Sequence, residues 1–90
     1  MLDARYTAKF KRDYKIVKRR GYDVRLLREA INLLVEEKPL PPNYRDHPLK
    51  GDYAGHRECH ITSDWLLIYR IEQLVLILEL TRTGTHSDLF

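Results

Sequence analysis

The chain has little of what disulfide-linked or membrane-embedded folds require. It contains one cysteine, Cys59, which excludes an internal disulfide framework. No apolar run approaches the ~20 residues that a membrane-spanning helix needs, and the N-terminus lacks the apolar core of a signal peptide. We therefore expect a cytoplasmic protein that does not enter a membrane.

Glycine and proline are also scarce, at four residues each among 90, and no repeats or low-complexity segments occur. With 43% hydrophobic and 32% charged residues, the composition is that of an ordinary folded protein. A chain of this length predicts one domain, residues 1–90, without room for separate substrate and cofactor domains. Because no glycine-rich phosphate loop or nucleophile-elbow motif is present, we expect no cofactor.

Positive charge is unevenly distributed along the chain. Residues 1–50 contain 13 Lys and Arg against 7 Asp and Glu, whereas residues 51–90 contain 3 against 6. The cations are densest in residues 9–20, where Asp13 is the only acid. Such a segment favours a polyanion, because contacts with phosphates release condensed counterions. A solvated helix face, or a surface for an acidic protein partner, would have the same composition.

The apolar pattern predicts an α+β fold. Apolar residues recur at helical spacing over residues 8–20, which end at Gly21, and again after the capping residue Asp23 until the prolines from residue 39. Four segments have the composition of strands, at residues 3–7, 56–61, 65–71 and 74–81. Tight turns are expected at residues 63–64 and 72–73. The sum is an N-terminal strand and a helical hairpin packed on a mostly antiparallel sheet.

Three of the four histidines stand beside other residues that could take part in a reaction. His47 is expected in a loop, His60 ends a strand four residues before Asp64, and His86 follows Arg82 by four. In a meander of antiparallel strands, the end of one strand lies beside the start of the next. We therefore expect His60, Asp64 and Arg82 to converge at one edge of the sheet.

Such a set suits cleavage of RNA by its own 2′-hydroxyl group, without a metal. One group removes the hydroxyl proton, another protonates the departing 5′-oxygen, and histidine can do either near neutral pH. The planar guanidinium of Arg82 can stabilise the charge on the phosphate through paired hydrogen bonds. Trp65 or Phe90 could stack on an unpaired base.

Each of these residues also has an ordinary structural interpretation. A single histidine is more often a surface residue than a catalyst, and Trp65 at a strand start is more often part of the core. Arg82 could form an ion pair with Glu79 or Asp64, and Phe90 could be a frayed end. For zinc, the candidate ligands are His47, Cys59, His60 and His86. Their spacing matches no common zinc motif, and Cys59 and His60 would point to opposite strand faces, so we expect no metal.

Three segments resemble the YafQ-type toxins of the RelE superfamily. They are LPPNYRDHPLKG at residues 40–51, RECHITSDWLLIY at residues 57–69 and RTGTHSDLF at residues 82–90. The resemblance covers the whole chain, and the predicted order of strand, helices and sheet is also that of this superfamily. It implies the toxin of a type II toxin–antitoxin system, a ribosome-dependent endoribonuclease that cuts mRNA and inhibits translation. A cognate antitoxin, the ribosome and mRNA are the implied partners.

The family's functional positions fall on matching residues of this chain, namely His47, His60, Asp64, Trp65, Arg82, His86 and Phe90. His86 is then the principal acid–base group, His60 and Asp64 share the proton transfers, and Arg82 stabilises the phosphate. His47 assists, while Trp65 and Phe90 position a base. The basic segment would bind ribosomal RNA phosphates through Lys9, Lys11, Arg12 and Lys15. The alternative is a superfamily member that binds nucleic acid or a partner without catalysis.

Overall fold

The structure is a computed structural model that describes residues 1–90. Its regular elements are β1 (Asp3–Tyr6), α1 (Ala8–Arg19), α2 (Val24–Val35), β2 (His47–Pro48), β3 (Arg57–Thr62), β4 (Trp65–Glu72), β5 (Ile77–Gly84) and α3 (His86–Leu89). Single 3₁₀ turns lie at Pro42–Tyr44 and Gly51–Tyr53. None of the helices has the length and apolar character needed to cross a membrane.

The five strands form one sheet in the order β1-β5-β4-β3-β2. β1 pairs with β5 in parallel, and the other three pairings are antiparallel. The predicted α+β class, with its N-terminal strand, two helices and mostly antiparallel sheet, is confirmed. β1 pairs only with Ile77–Leu80 of β5, so the remaining residues of β5 form an edge of the sheet.

Local signals in the sequence set the limits of the two long helices. The Thr7 hydroxyl accepts a 2.9 Å hydrogen bond from the Phe10 amide and caps α1. After α1, Gly21 takes a φ of +85°, and the amide of Tyr22 donates to the carbonyl of Val17 as in a Schellman cap. The Asp23 carboxylate accepts from the Arg25 amide at 3.1 Å and begins α2.

The main core lies between α1, α2 and one face of the sheet. Its buried members are Leu2, Phe10, Val17, Leu27, Ile31, Leu34, Cys59, Trp65, Leu67, Tyr69, Leu78 and Leu80. Because successive residues of a strand face opposite ways, Leu66 and Ile68 of β4 point to the other face. There they form a smaller cluster with Leu89, against which Leu49 and Tyr53 pack. This second face, which we call the open face, is otherwise polar.

The strand boundaries differ from the expectation in three places. The β4–β5 turn spans residues 73–76 instead of 72–73, and Leu76 adopts a left-handed φ of +54°. β5 therefore runs to Gly84, and Arg82 lies within the strand instead of beyond its end. His47 belongs to β2, which was expected to be a loop, because a two-residue strand has no periodicity to detect. The turn at residues 63–64 is confirmed.

Candidate active site

The open face carries a row of side chains that crosses four strands. His47 of β2 is opposite Glu58 of β3, Glu58 is opposite Ile68 of β4, and Ile68 is opposite Arg82 of β5. Directly paired residues point to the same face of a sheet. At a strand spacing of about 4.8 Å, His47 and Arg82 lie roughly 14 Å apart at the backbone. The row is thus wide enough for more than one nucleotide.

A second row lies beside the first. His60 of β3 is opposite Leu66, and Leu66 is opposite Gly84. His86 follows Gly84 by two residues, so the last segment of the chain begins at the same end of the sheet as His60. The expectation that the end of β3 and the end of β5 meet at the same end of the sheet is confirmed by this register.

His47, Glu58 and His60 form a compact group on the open face. The distance from His47 Nε2 to Glu58 Oε2 is 3.0 Å, and that from His60 Nε2 to the same oxygen is 3.9 Å. The Glu58 side chain is 8% exposed, whereas those of His47 and His60 are 48% and 22% exposed. A buried carboxylate therefore holds two imidazoles that solvent and substrate can reach. Glu58 was not among the residues predicted for the site.

Arg82 contacts an acid that sequence reasoning did not propose. Its Nε and Nη2 atoms donate to the two oxygens of Asp13, at 2.7 and 3.0 Å. Asp13 belongs to α1, and it also accepts a 3.2 Å hydrogen bond from the backbone amide of Thr83. These hydrogen bonds raise the pKa of the Arg82 guanidinium, and the Tyr53 hydroxyl acts in the same direction. Of the ion pairs considered for Arg82, neither Glu79 nor Asp64 is its partner.

A bulge explains how Arg82 reaches across to α1. Ile68 pairs with Arg82 and Tyr69 pairs with Leu80, so Thr81 is the extra residue of β5. A bulge twists the strand and redirects its side chains. Since β1 does not cover this part of β5, the guanidinium can pass the edge of the sheet and meet Asp13. Its side chain is 20% exposed, and that of Asp13 is 9% exposed.

The position of His86 depends on a short, closely fixed helix. The Thr85 hydroxyl and the Asp88 carboxylate form a reciprocal capping box for α3. Arg20, which follows α1, donates to both oxygens of Asp88 at 2.7 and 3.1 Å, and these bonds hold the pKa of that carboxyl well below its usual range. A Cβ atom at Gly84 would lie 3.0 Å from Asp88 Oδ2, so a side chain there would require Asp88 to move by a few tenths of an ångström.

Aromatic rings continue the site from α3 toward the loop before β3. The ring of His86 lies 4.9 Å from that of Phe90 at an interplanar angle of 32°. Tyr53 makes edge-on contacts of 5.8 Å with both Phe90 and His56. Phe90 is 55% exposed, so one side of its ring is open to solvent. Tyr53 and His56 were not among the predicted site residues, because neither lies in a recognisable motif.

Two of the predicted residues lie apart from this group. Asp64 is exposed in the β3–β4 turn and forms neither an ion pair nor a side-chain hydrogen bond with another residue. Trp65 is only 2% exposed, and its Nε1 donates to the hydroxyl of Thr83 at 2.8 Å. The ring of Tyr22 packs against it at 5.1 Å. A base cannot reach a ring in this position, so the expected stacking role of Trp65 is corrected to a core role.

The outer surface of α1 is almost purely cationic. Lys9, Lys11, Arg12 and Lys15 are exposed and form no ion pair. Asp13, the single acid of this segment, is turned inward to Arg82 and does not neutralise them. The basic surface expected from the sequence is therefore present.

A groove of about 670 Å³ lies between α1 and α2. Its apolar floor includes Phe10, Tyr14, Leu27 and Ile31, and its cationic rim includes Lys11, Lys15, Lys18 and Arg28. The groove is on the helical side of the molecule, whereas the histidines are on the open face of the sheet. The two surfaces are thus separate, although both are bordered by α1.

Comparisons with known proteins agree with this architecture. The sequence profile of a family described as the bacterial toxin of type II toxin–antitoxin systems, YafQ, matches residues 2–90. The mRNA interferase toxin YafQ of Escherichia coli strain K12 is 39% identical over 89 residues, which are 98% of this chain and 95% of that protein.

Solved structures have the same fold over the full length. A metal-bound toxin from Helicobacter pylori is 44% identical, with a TM-score of 0.94 and 100% of both chains covered. The YafQ chain in the E. coli DinJ–YafQ complex is 37% identical, with a TM-score of 0.91 and coverage of 100% of this chain and 99% of that one. Profile, sequence and structure therefore agree that the chain belongs to the YafQ family of type II toxin–antitoxin toxins.

Proposed function

We propose that the chain is a ribosome-dependent endoribonuclease that cleaves mRNA in the cytoplasm by acid–base catalysis and thereby inhibits translation. The observation that carries the proposal is the open face of the sheet, where imidazoles of three histidines and one guanidinium border a surface more than one nucleotide wide. The similarity of this chain to the E. coli mRNA interferase YafQ supports the same activity. No step of the reaction requires a cofactor.

The proton transfers are divided between the two ends of the open face. His86 is the principal acid–base group, because its exposed ring is fixed by Phe90 and by the capping box of α3. His60 is its counterpart, and the Glu58 carboxylate lies beneath the two rings, 3.9 Å from Nε2 of His60 and 3.0 Å from Nε2 of His47. A group that takes a proton on one side of the phosphorus must be matched by one that gives a proton on the other.

Arg82 stabilises the negative charge that grows on the phosphate. A guanidinium has five N–H groups, and Asp13 occupies two of them through Nε and Nη2. The others can donate to phosphate oxygens while the ion pair holds the side chain in place. Preorganised donors of this kind contribute a few kcal/mol to the transition state, since no reorganisation is needed when charge develops.

Phe90 and Asp64 contact the messenger outside the reacting bond. The exposed side of the Phe90 ring offers a stacking surface, which contributes about 1–3 kcal/mol per base. Asp64 stands at the rim in the β3–β4 turn, where it orients the nucleotide next to His60. Trp65 takes no part in base binding, and its role is to support β5 through Thr83.

The cationic face of α1 binds ribosomal RNA through Lys9, Lys11, Arg12 and Lys15. Contacts of lysine and arginine with phosphates supply affinity without sequence information. The ribosome then presents the messenger to the open face in a reactive geometry. Such positioning can replace much of the catalytic power that a domain of this size lacks.

Cleavage is tested in a purified translation reaction, with cut sites mapped by primer extension in the presence and absence of ribosomes. We expect cuts only when ribosomes are present, and a rate at least ~100-fold lower for His86→Gln and for Arg82→Ala. His56→Gln is the matched control, because it removes a histidine of the same face outside the proposed set. Equal rates for His86→Gln and the native chain would contradict the assignment.

Ribosome binding is tested with the double variant Lys11→Glu and Lys15→Glu. We expect weaker co-sedimentation with ribosomes and a shallower dependence on salt concentration, because fewer counterions are released. The control, Arg25→Glu with Lys38→Glu, changes net charge equally away from the outer face of α1, at cations already paired with Asp23 and Glu36. If both double variants lose ribosome binding to the same degree, the binding depends on the net charge of the protein and not on the charges of α1.

An antitoxin is the remaining partner. The E. coli YafQ relative is found in a complex with DinJ, which supports a cognate antitoxin for this chain. The groove between α1 and α2 fits an acidic segment that folds on binding, with apolar side chains on Phe10 and Ile31 and carboxylates beside the rim lysines. Phe10 and Ile31 both belong to the buried core, so the rim is changed instead, and Lys18→Glu with Arg28→Glu should abolish antitoxin binding. The same variant should leave mRNA cleavage intact.

A further inference from the structure

We propose that Tyr53 is a further catalytic residue of the open face, and that its hydroxyl donates a hydrogen bond to a non-bridging oxygen of the scissile phosphate beside Arg82. The proposal rests on the nuclease function proposed above, which it extends by one residue. Tyr53 lies outside the three segments that resemble the YafQ family, so no motif assigns it a role. The position of its ring and of its hydroxyl on the open face assigns it one.

The loop before β3 fixes the backbone from which Tyr53 projects. Tyr53 is the last residue of the 3₁₀ turn Gly51–Tyr53, and its carbonyl accepts a 2.9 Å hydrogen bond from the amide of His56. The carbonyl of His56 accepts in turn from the amide of Leu49, also at 2.9 Å. Edge-on ring contacts of 5.8 Å with His56 and Phe90 restrict the side chain as well. Tyr53 is therefore positioned before a messenger arrives.

The ring of Tyr53 covers the apolar centre of the open face. It packs against the small cluster of Leu66, Ile68 and Leu89. In the first row of paired residues, Ile68 stands between Glu58 and Arg82, so the middle of that row offers a phosphate no polar side chain of its own. Tyr53 therefore supplies a polar atom where the strands beneath it supply none.

The hydroxyl of Tyr53 lies beside the guanidinium of Arg82. The hydrogen bonds from Arg82 to Asp13 are the main cause of the raised pKa of that guanidinium, and the Tyr53 hydroxyl raises the pKa further. A guanidinium has donors only, so the phenol oxygen is the acceptor between these two groups. The O–H bond of Tyr53 then points away from Arg82, toward an acceptor that the messenger can supply. Arg82 and Tyr53 thus form a pair of adjacent donors.

Such a pair of donors matches the charge that develops during cleavage. When the 2′-oxygen attacks phosphorus, negative charge accumulates on the non-bridging oxygens, and donors already in place stabilise it. A hydroxyl that accepts from a cation is polarised by that cation, which strengthens the hydrogen bond that the hydroxyl donates. Tyr53 keeps its own proton throughout, while the histidines take and return protons. A residue needed only for packing would gain nothing from the hydroxyl, so removal of that one group separates the two roles.

Tyr53→Phe removes the hydroxyl and keeps the ring. In the ribosome-dependent cleavage reaction, we expect the maximal rate to fall at least ~10-fold, with little change in the ribosome concentration that gives half of that rate. Tyr44→Phe is the matched control, because Tyr44 packs against the main core on the other side of the sheet, and it should cleave as fast as the native chain. Equal maximal rates for Tyr53→Phe and Tyr44→Phe would overturn the proposal.

A phosphorothioate at the mapped cut site separates direct contact with the phosphate from positioning of Arg82. Sulfur in place of one non-bridging oxygen accepts hydrogen bonds weakly, so it removes the benefit of the donor that faces it. We expect one of the two stereoisomers to slow the native chain about as much as Tyr53→Phe does, and to cause no further loss in Tyr53→Phe. Fully additive losses with both stereoisomers would show that the hydroxyl does not touch the phosphate.

The pH dependence of cleavage distinguishes a hydrogen-bond donor from a proton-transfer group. Because Tyr53 keeps its proton, Tyr53→Phe should lower the rate by the same factor from about pH 6.5 to about pH 8.5, and the shape of the profile should stay that of the native chain. A profile of different shape in Tyr53→Phe would show that Tyr53 transfers a proton, and it would refute the donor role.

Binding of a 2′-deoxy dinucleotide tests the phosphate contact without cleavage, because this probe carries the phosphate but lacks the attacking hydroxyl. In a titration followed by nuclear magnetic resonance, the Nε signal of Arg82 and the ring signals of Tyr53 should shift together. The affinity should be lower for Tyr53→Phe than for Tyr44→Phe, and equal affinities would count against the contact. If the native chain binds the probe in this way but cuts no messenger, the nuclease function fails while the phosphate contact of Tyr53 stands.

Discussion

The contact between Asp13 and Arg82 joins α1 to the open face of the sheet, and it gives the sharpest prediction for stability. Asp13→Ala removes the carboxylate that accepts from two guanidinium nitrogens and from the backbone amide of Thr83. The variant leaves one cation and one buried donor without a protein partner. We therefore expect Asp13→Ala to cause a large loss of folding stability, although the sequence alone would classify Asp13 as a surface charge.

The magnitude follows from the burial of the two side chains. Removal of one partner from a fully buried ion pair costs about 3–5 kcal/mol. Arg82 is 20% exposed and can regain some water, whereas the amide of Thr83 belongs to a residue that is 1% exposed and cannot. A lost hydrogen bond to a charged group costs roughly 1.5–3 kcal/mol. Together these values predict a loss of about 2–4 kcal/mol for Asp13→Ala.

Urea unfolding followed by far-ultraviolet circular dichroism measures this loss. With a slope of about 1 kcal/mol per molar urea for a small domain, the midpoint should fall by roughly 2 M or more. The thermal midpoint should fall by about 10 °C or more. Arg12→Ala is the control on the same helix, since Arg12 has no partner, and it should change stability by less than about 0.5 kcal/mol.

A double-mutant cycle with Arg82→Ala separates the ion pair from other effects of each substitution. We expect a coupling free energy of at least ~1.5 kcal/mol between Asp13 and Arg82. If the coupling is below about 0.5 kcal/mol, or if Asp13→Ala unfolds at the same urea concentration as Arg12→Ala, the contact does not stabilise the fold. Asp13 would then not preorganise Arg82 for a phosphate.

Three further outcomes concern the segment around α3 and the core. Gly84→Ala should displace Asp88 and lower the rate of mRNA cleavage at least ~10-fold at unchanged secondary structure, because His86 depends on the capping box. The Arg20 hydrogen bonds lower the pKa of Asp88 in the folded chain. The stability that the Asp88 carboxylate contributes is therefore fully present above the ordinary pKa of 3.8, and it is lost as the pH falls below that value. The stability deficit of Asp88→Asn at pH 7 should therefore vanish in acid, and a pH-independent deficit in urea titrations would contradict it. Burial raises the pKa of Cys59 to about 12, so a thiol reagent at pH 8 should label the unfolded chain only, and rapid labelling of the native chain would contradict this burial.

The parts of the fold that the sequence predicts are those set by local chemistry. Gly21 ends α1 because only glycine readily takes the left-handed conformation of that cap, and Asp23 begins α2 because its carboxylate accepts from a nearby amide. The apolar runs of β4 and β5 identify buried strands, but they place the turn between them incorrectly. Leu74 and Val75 extend the apolar run although both are exposed in the turn, so hydrophobicity alone could not show where β5 begins.

The contacts of the site could not be predicted because they depend on strand register and on long-range pairing. Glu58 meets His47 only through the two-residue pairing of β2 with β3. Asp13 meets Arg82 across 69 positions of sequence, by way of a bulge that no residue pattern announces. Trp65 was assigned to base stacking because an aromatic ring can stack on a base and the resemblance agreed, whereas its place at the start of β4 buries it in the core.

α1 is bound to residues 81–90 at three points along its length. At its start, the Thr7 hydroxyl donates to the carbonyl of Thr81 at 2.8 Å, and the ion pairs of Asp13 and Arg20 follow in the middle and after its end. Residues 81–90 are thus held from the helical side of the sheet. If the ribosome binds the cationic face of α1 as proposed, it also fixes the orientation of Arg82 and His86. By the same connection, an antitoxin that displaces α1 from the sheet edge would disturb the active site without covering it.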